Sequence, residues 1–202
     1  MLAKELKLTY NNAVKQEEIM TKETCYKFIK TIFTYGSLVF VIGLAAWIIR
    51  DFCMIDVVIQ GQEMTPTIDE GTTGVTFLWH EDFQRGDLVL IKQPGGQGYA
   101  IRRIIALPNE TVSCVDEVIY VNGEPLDEDY LDADYVKKMQ RRYGYFTRDF
   151  NEVELWTNEY FLLGDNRIAA QETDSRALGA YTENSLKGKN LILLSPNFEV
   201  IK

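Results

Sequence analysis

The sequence predicts a mostly β domain that is preceded by one transmembrane helix. Residues 31–49 form a run of nineteen residues without a charged side chain, and Arg50-Asp51 ends it. A run of this length can cross the hydrocarbon core of a membrane as a helix. Beyond it, short apolar segments alternate with Gly, Asn and Pro, a pattern typical of an all-β domain. That second part holds roughly 150 residues, enough to bury a core.

The N-terminal part is interpreted as a cytoplasmic tail (1–30) and a transmembrane helix (31–50), which leave residues 51–202 outside the cell. Six lysines precede the apolar run, and the positive-inside rule places such a flank in the cytoplasm. A cleaved signal peptide would have a shorter apolar core of about 7–15 residues and a small-x-small end. Because this run ends in Ala-Trp-Ile-Ile-Arg, we favour an uncleaved single-pass anchor in the cell membrane.

Strands are predicted wherever β-branched and aromatic residues cluster between turn residues. The predicted strands are Asp56–Ile59, Gly74–Trp79, Gly86–Ile91, Tyr99–Leu107, Thr111–Val115, Val118–Val121, Tyr160–Leu163 and Leu186–Leu194. The last of these is expected to close the sheet. Asn122-Gly123 is a strong hairpin signal because both residues tolerate the positive φ of a type I′ turn.

The regular pattern weakens between residues 124 and 156, which we interpret as a small inserted subdomain. An acidic segment at 127–134 is followed by a basic one at 137–142, and a short helix is expected at Asp134–Tyr143. A flexible connection is expected at Gly95-Gly96-Gln97-Gly98.

Charge and composition exclude several classes of function. Residues 1–50 carry seven Lys or Arg against four Glu, whereas residues 51–202 carry fourteen against twenty-six Asp or Glu, so the second part has a net charge of −12. Such a domain repels phosphate backbones, which argues against nucleic-acid binding. The single histidine, His80, and cysteines 25, 53 and 114 match no metal or redox spacing. A Cys53–Cys114 disulfide is the less favoured alternative to free, buried thiols.

Six short motifs occur in order between the apolar run and the C-terminus. They are Gly61-x-x-Met64-x-Pro66-Thr67, Arg85-Gly86-Asp87-Leu88-Val89, Arg103-Ile104-Ile105-Ala106-Leu107-Pro108, Tyr120-Val121-Asn122-Gly123, Gly164-Asp165-Asn166-Arg167 and Asp174-Ser175-Arg176. In order and rough spacing they resemble the motifs of type I signal peptidases. The resemblance implies a β domain on the membrane that cuts secreted preproteins with a Ser/Lys dyad, without a cofactor or metal.

The residues that the family uses for chemistry differ in this sequence. The family's serine precedes the Met of the first motif, a position that Glu63 occupies here, and its lysine precedes the Arg of the third motif, a position that Arg102 occupies. Glu63 has no hydroxyl to form an ester, and an arginine, with a pKa above roughly 12, cannot act as the base. The family has a further serine between its last two motifs, an interval that is two residues longer here. Counting forward from Arg167 places it at Ala170, and counting back from Asp174 places it at Glu172.

The first segment, Gly61–Thr67, is expected to be stiff and extended because Pro66 fixes its own φ and restricts Thr65. We expect Glu63 and Arg102 to form an ion pair, which Glu172 could share. The resemblance also implies that Arg103, Asp165, Asp174 and Arg176 pair their charges in a buried network. Gly61, Met64 and Pro66 complete the predicted groove and framework positions.

Three functions are compatible with this sequence. The favoured one is a catalytically silent relative that binds extended peptides, similar to the signal-peptidase-like proteins of Gram-positive pilus operons. Its partners would be pilin subunits or secreted preproteins, the membrane and sortase. The alternatives are an active signal peptidase I that uses other groups, and a membrane-anchored structural domain without a peptide partner.

Overall fold

The computed structural model describes residues 2–78, 82–93, 98–195 and 199–201, and it divides into two compact units, Met1–Asp51 and Phe52–Lys202. The first unit belongs to a single helix, α1 (Leu2–Cys53). By length and composition, its segment Met20–Cys53 could cross a membrane, and it fits a single-pass anchor. Large apolar side chains such as Phe33 (78% exposed) lie on its surface, as expected for contact with lipid.

The second unit is built mainly from strands, as the sequence predicts. The strands are β1 (Met54–Val58), β2 (Thr73–Phe77), β3 (Leu88–Lys92), β4 (Tyr99–Ala106), β5 (Thr111–Val115), β6 (Val118–Val121), β7 (Glu124–Pro125), β8 (Phe150–Glu154), β9 (Glu159–Leu163), β10 (Tyr181–Thr182), β11 (Leu186–Ser195) and β12 (Glu199–Ile201). Two helices, α2 (Ala133–Tyr143) and α3 (Ser175–Leu178), complete it.

Eight strands form one antiparallel sheet in the order β1-β2-β11-β3-β4-β9-β10, and β12 pairs with β11. The prediction that residues 186–194 close the sheet is wrong, because β11 lies in its interior between β2 and β3. Its buried Leu191 and Leu193 join the apolar cluster that also contains Met64 and Ile68, and this burial on the sheet's inner face holds β11 in the middle.

A second antiparallel sheet has the order β7-β6-β5-β8. The segment at 124–156 therefore forms no sheet of its own: β7 and β8 add to β6 and β5, which precede it in the chain. The Asn122-Gly123 hairpin is confirmed, with positive φ at both residues (53° and 81°). An apolar cluster that includes Val112, Ile119, Phe161 and Leu163 packs the second sheet against the first.

Helix α2 is confirmed and has a clear local cause. The Asp132 side chain accepts a hydrogen bond from the N–H of Tyr135 at its N-terminus, and Gly144 ends it in the left-handed conformation.

All three cysteines are free, and burial raises the pKa of the Cys114 thiol to about 12. Trp79, His80 and residues 95–97 lie outside the described residues.

Candidate peptide-binding cleft

Two of the strand edges in the main sheet that lack a partner strand among the described residues belong to β1 and β4. β1 pairs with β2 on one side only. β4 pairs with β3 from Tyr99 to Arg103, but β9 pairs only with its second half, from Arg103 onwards. The first half of β4 therefore has one edge whose backbone N–H and C=O groups are not used by a neighbouring strand.

These two edges line the same cleft. It encloses about 340 Å³, part of which is open to solvent, and its lining consists of Val57–Gln60 from the end of β1, Tyr99–Arg102 from β4, and Glu63, Met64 and Gln93. Unpaired strand edges can accept an extended peptide as an additional strand. The backbone groups of Val57–Gln60 and Tyr99–Arg102 are the ones that such an added strand would use.

The loop at residues 61–68 forms one end of the cleft, and it is not the extended segment that the sequence predicts. It folds into successive turns, with hydrogen bonds from the Thr65 N–H to the Gln62 carbonyl (3.2 Å) and from the Ile68 N–H to the Met64 carbonyl (3.0 Å). Met64 and Ile68, at 2% and 1% exposure, both enter the apolar core. Burying two side chains four residues apart on one side favours the turn, whereas Pro66 stays exposed.

The main chain of Glu63 is fixed by Asn166. The Glu63 carbonyl accepts the Asn166 N–H (2.9 Å), and the Gln62 carbonyl accepts the Asn166 side-chain amide (2.9 Å). A Cβ on Gly164 would lie 2.6 Å from the Glu63 carbonyl oxygen, so only glycine permits this approach. The turn at residues 164–167 therefore supports the loop that carries Glu63.

The Glu63 side chain folds back over Gly61. A Cβ placed on Gly61 would come within 2.3 Å of Oε2 of Glu63, so the glycine makes room for the carboxylate. Gly61 also has a φ of 85°, which disfavours any other residue. Among the described residues, no group donates a hydrogen bond to this half-buried carboxylate and no cation lies within ion-pair distance.

Arg102 is 2% exposed, and its guanidinium donates hydrogen bonds to groups other than Glu63. Nη1 donates to the Ile101 carbonyl (2.7 Å), and Nη2 donates to the carbonyl (3.1 Å) and to Oγ1 (3.0 Å) of Thr173. Nε has no hydrogen-bond partner among the described residues. Burial lowers the pKa of Arg102, and the negative charge of Glu63 opposes that shift. The two residues therefore influence each other electrostatically.

The predicted ion pair between Glu63 and Arg102 is nevertheless wrong. Their charged atoms do not approach within 4.0 Å in the part of the chain that the structure describes. The physical reason is that the guanidinium is already held by two carbonyls and a hydroxyl. Glu172 does not share such a pair either: it is exposed and accepts a hydrogen bond from Gln171 (3.2 Å).

The sequence motifs did not identify Thr173 as the residue whose hydroxyl contacts Arg102. Counting along the motifs gave Ala170 or Glu172. Ala170 is fully buried, and its Cβ lies 2.4 Å from where a Cβ on Gly164 would be. The hydroxyl that contacts Arg102 belongs instead to the residue directly before Asp174. The sequence could have indicated Thr173, because it is the only Ser or Thr between Arg167 and Asp174.

Beneath the cleft, Arg103 and Asp165 form a buried bidentate ion pair, with Nε–Oδ1 at 2.8 Å and Nη2–Oδ2 at 2.6 Å. Nη1 of Arg103 donates to the Gly86 carbonyl (2.8 Å), and the Thr67 hydroxyl donates to Asp165 (2.6 Å). The guanidinium lies over the ring of Tyr130, 4.1 Å from its centre. Every charged atom in this pair therefore has a partner.

Asp174 and Arg176 form a second ion pair at 2.7 Å, again with both side chains almost fully buried. Nη2 of Arg176 also donates to the Arg167 carbonyl (2.8 Å). Asp174 caps α3, and it accepts the Gly164 N–H at 3.4 Å. The four residues that the resemblance implied as a buried charge network thus lie in two separate pairs under the cleft.

Arg167 forms a third buried ion pair, and its partner was not predicted. Its side chain is fully buried and forms an ion pair with Glu128 at 2.5 Å, while Nε donates to the Gly164 carbonyl (2.9 Å). Burial alone would lower the pKa of Arg167, but Glu128 and Tyr130 outweigh it and raise the pKa. Glu128 and Tyr130 both belong to the predicted insertion, so this segment braces the turn at 164–167 and Arg103.

No group of three or more His, Cys, Asp or Glu side chains within the described residues could hold a metal ion.

The comparisons with known proteins agree with the motifs. Residues 32–194 match the family model described as Signal peptidase, peptidase S26. The chain is 31% identical over 177 residues to signal peptidase I S of Bacillus subtilis, which covers 86% of this chain and 94% of the relative. It is 31% identical over 176 residues to a signal peptidase I of Bacillus amyloliquefaciens, covering 85% and 92%.

Among solved structures, a signal peptidase I from Enterococcus faecalis V583 is 32% identical, with a TM-score of 0.48 over 55% of this chain and 98% of the solved one. On the family match and the Bacillus relatives, the chain belongs to the signal peptidase family, peptidase S26.

Proposed function

We propose that this protein is a membrane-anchored, non-catalytic member of the signal peptidase family that binds extended peptides without cleaving them. The observation that carries the proposal is a cleft with two unpaired strand edges whose charged residues are Glu63 and Arg102. The resemblance assigns these two positions to the family's serine and lysine. The cleft thus keeps the features needed to bind main chain and lacks the groups needed to attack it.

The chemistry supports this reading at both positions. A carboxylate in place of the serine cannot form an ester acyl-enzyme, and the described lining residues include no Ser or Thr, the phenol of Tyr99 being their only hydroxyl. Burial lowers the pKa of Arg102, yet an arginine remains protonated because its ordinary pKa is above roughly 12. A permanent cation cannot accept the proton that a nucleophile must lose.

We further propose that α1 anchors the protein with its N-terminus in the cytoplasm and residues 51–202 outside. In this position the domain would hold pilin subunits or secreted preproteins as a chaperone or scaffold during sortase-dependent pilus assembly. The support is the similarity of the degenerate motifs to signal-peptidase-like proteins of pilus operons. A strain that lacks the gene but still assembles normal fibres would remove the pilus assignment.

The second candidate is an active signal peptidase I, and the relatives favour it because those named above are signal peptidases. The test uses the purified full chain in detergent with a leader-bearing preprotein. We expect no cleavage by the wild type, and binding of a non-cleavable extended peptide. Cleavage by the wild-type protein would overturn the proposal, and absence of peptide binding would favour a purely structural domain.

The double variant Glu63→Ser/Arg102→Lys sharpens this test. The burial that lowers the pKa of Arg102 would also lower that of a lysine at the same place, which favours a neutral amine. We expect the double variant to gain detectable cleavage, whereas each single variant stays inactive because a nucleophile and its base act as a unit.

A further inference from the structure

The Glu63 carboxylate is the accessible charge of the cleft. Glu63 is half-buried and lines the cleft, whereas Arg102 is 2% exposed and its Nε is inaccessible. The remaining lining residues are apolar side chains, Tyr99 and two glutamines. Among the described residues, a ligand that enters the cleft therefore encounters a single reachable charge, and that charge is negative.

The chain fixes the position of the Glu63 carboxylate, but no described residue donates a hydrogen bond to it. Gly61 provides the space into which it folds, and Asn166 fixes the main chain that carries it. Among the described residues it accepts no hydrogen bond, and the nearby cation is held by Ile101 and Thr173. A carboxylate that loses water when the cleft fills must gain a charged or hydrogen-bonding partner from the ligand, because burying it without one is costly.

We infer that the cleft selects extended peptides that carry a Lys or Arg side chain opposite Glu63. This inference rests on the proposed peptide binding and names the side chain that it would recognise. The net charge of −12 on residues 51–202 supports it, since an acidic domain attracts basic segments and repels acidic ones. Residues two apart in a strand face the same side, so one basic side chain can reach Glu63 while main-chain groups pair with the strand edges.

The experiment measures binding of matched peptides to the purified full chain by fluorescence anisotropy. The probes are labelled Ala/Thr peptides in which Lys, Met or Glu occupies each central position in turn. At the position that faces residue 63, we expect the Lys peptide to bind about tenfold more tightly than the Met peptide, and the Glu peptide to bind most weakly. The preference should shrink as salt is added.

The variants identify the residue responsible. Glu63→Gln should bind the Lys and Met peptides equally, and Glu63→Lys should reverse the order so that the Glu peptide binds best. Asp69→Asn is the matched control, because Asp69 is an exposed carboxylate directly after the loop at residues 61–68 and does not line the cleft. It should keep the preference for Lys.

The outcomes separate this inference from the function on which it rests. Equal binding of the Lys, Met and Glu peptides by the wild type would overturn the inference and leave peptide binding intact. A Lys preference that survives in Glu63→Gln would also overturn it. If no peptide binds at all, both the inference and the proposed function are wrong.

Discussion

Arg103, beneath the cleft, and Arg102, which lines it, are both buried but have different kinds of partner. Arg103 and Arg102 are consecutive residues of β4, and both side chains are buried. Arg103 has a bidentate carboxylate partner, a carbonyl and an aromatic ring, whereas Arg102 has two carbonyls, a hydroxyl and one unpartnered nitrogen. The difference indicates that an ion pair holds Arg103, whereas hydrogen bonds to neutral groups hold Arg102.

The largest effect is expected from breaking the framework pair. Arg103→Met would leave the Asp165 carboxylate buried without its cation, and removing one member of such a pair costs about 3–5 kcal/mol. Urea unfolding of the purified full chain in detergent would measure this loss in the unit Phe52–Lys202. A loss below about 1 kcal/mol would contradict the comparison.

A smaller loss is expected from breaking the contact between the 124–156 segment and Arg167. Glu128→Gln keeps the shape of the side chain but leaves the fully buried Arg167 without a carboxylate, which we expect to cost about 2–3 kcal/mol. The control is Glu110→Gln, whose partner Arg85 has a 29% exposed side chain, so its loss should stay below about 1 kcal/mol. Equal losses in the two variants would show that burial of the pair does not matter.

Arg102→Met gives the most direct comparison, because it is the same substitution as Arg103→Met at the neighbouring residue of β4. It removes a buried cation that has no carboxylate within ion-pair distance, so the relief of desolvation offsets the lost hydrogen bonds. We expect the free energy of unfolding to change by less than about 1 kcal/mol in either direction. A loss as large as that of Arg103→Met would mean that Arg102 is a framework residue.

The smallest effect is expected at Glu63. Since no described residue bonds to its carboxylate, Glu63→Gln should change the free energy of unfolding by less than about 0.5 kcal/mol. A Tm comparison of wild type and variant would check this. The same variant is expected to lose its preference for basic peptides, so stability and recognition would separate at this position.

The sequence predicts the framework well because strand formation and burial follow from apolar periodicity and turn residues. It predicts the cleft less well. Both Met64 and Ile68 turn inward, which folds a segment that Pro66 alone suggested to be extended. Whether Arg102 pairs with Glu63 or with Thr173 depends on competition among acceptors in three dimensions. Periodicity carries no information about such choices, nor about Glu128, which lies 39 residues from Arg167 in the chain.

The two hydrogen bonds from Asn166 to the carbonyls of residues 62 and 63 affect which mutations the site tolerates. Because the main chain at position 63 is secured from a neighbouring turn, its side chain can be exchanged without moving the peptide bonds around it. On the proposed function, point mutations at position 63 can remove a nucleophile and leave the strand edges around it in place.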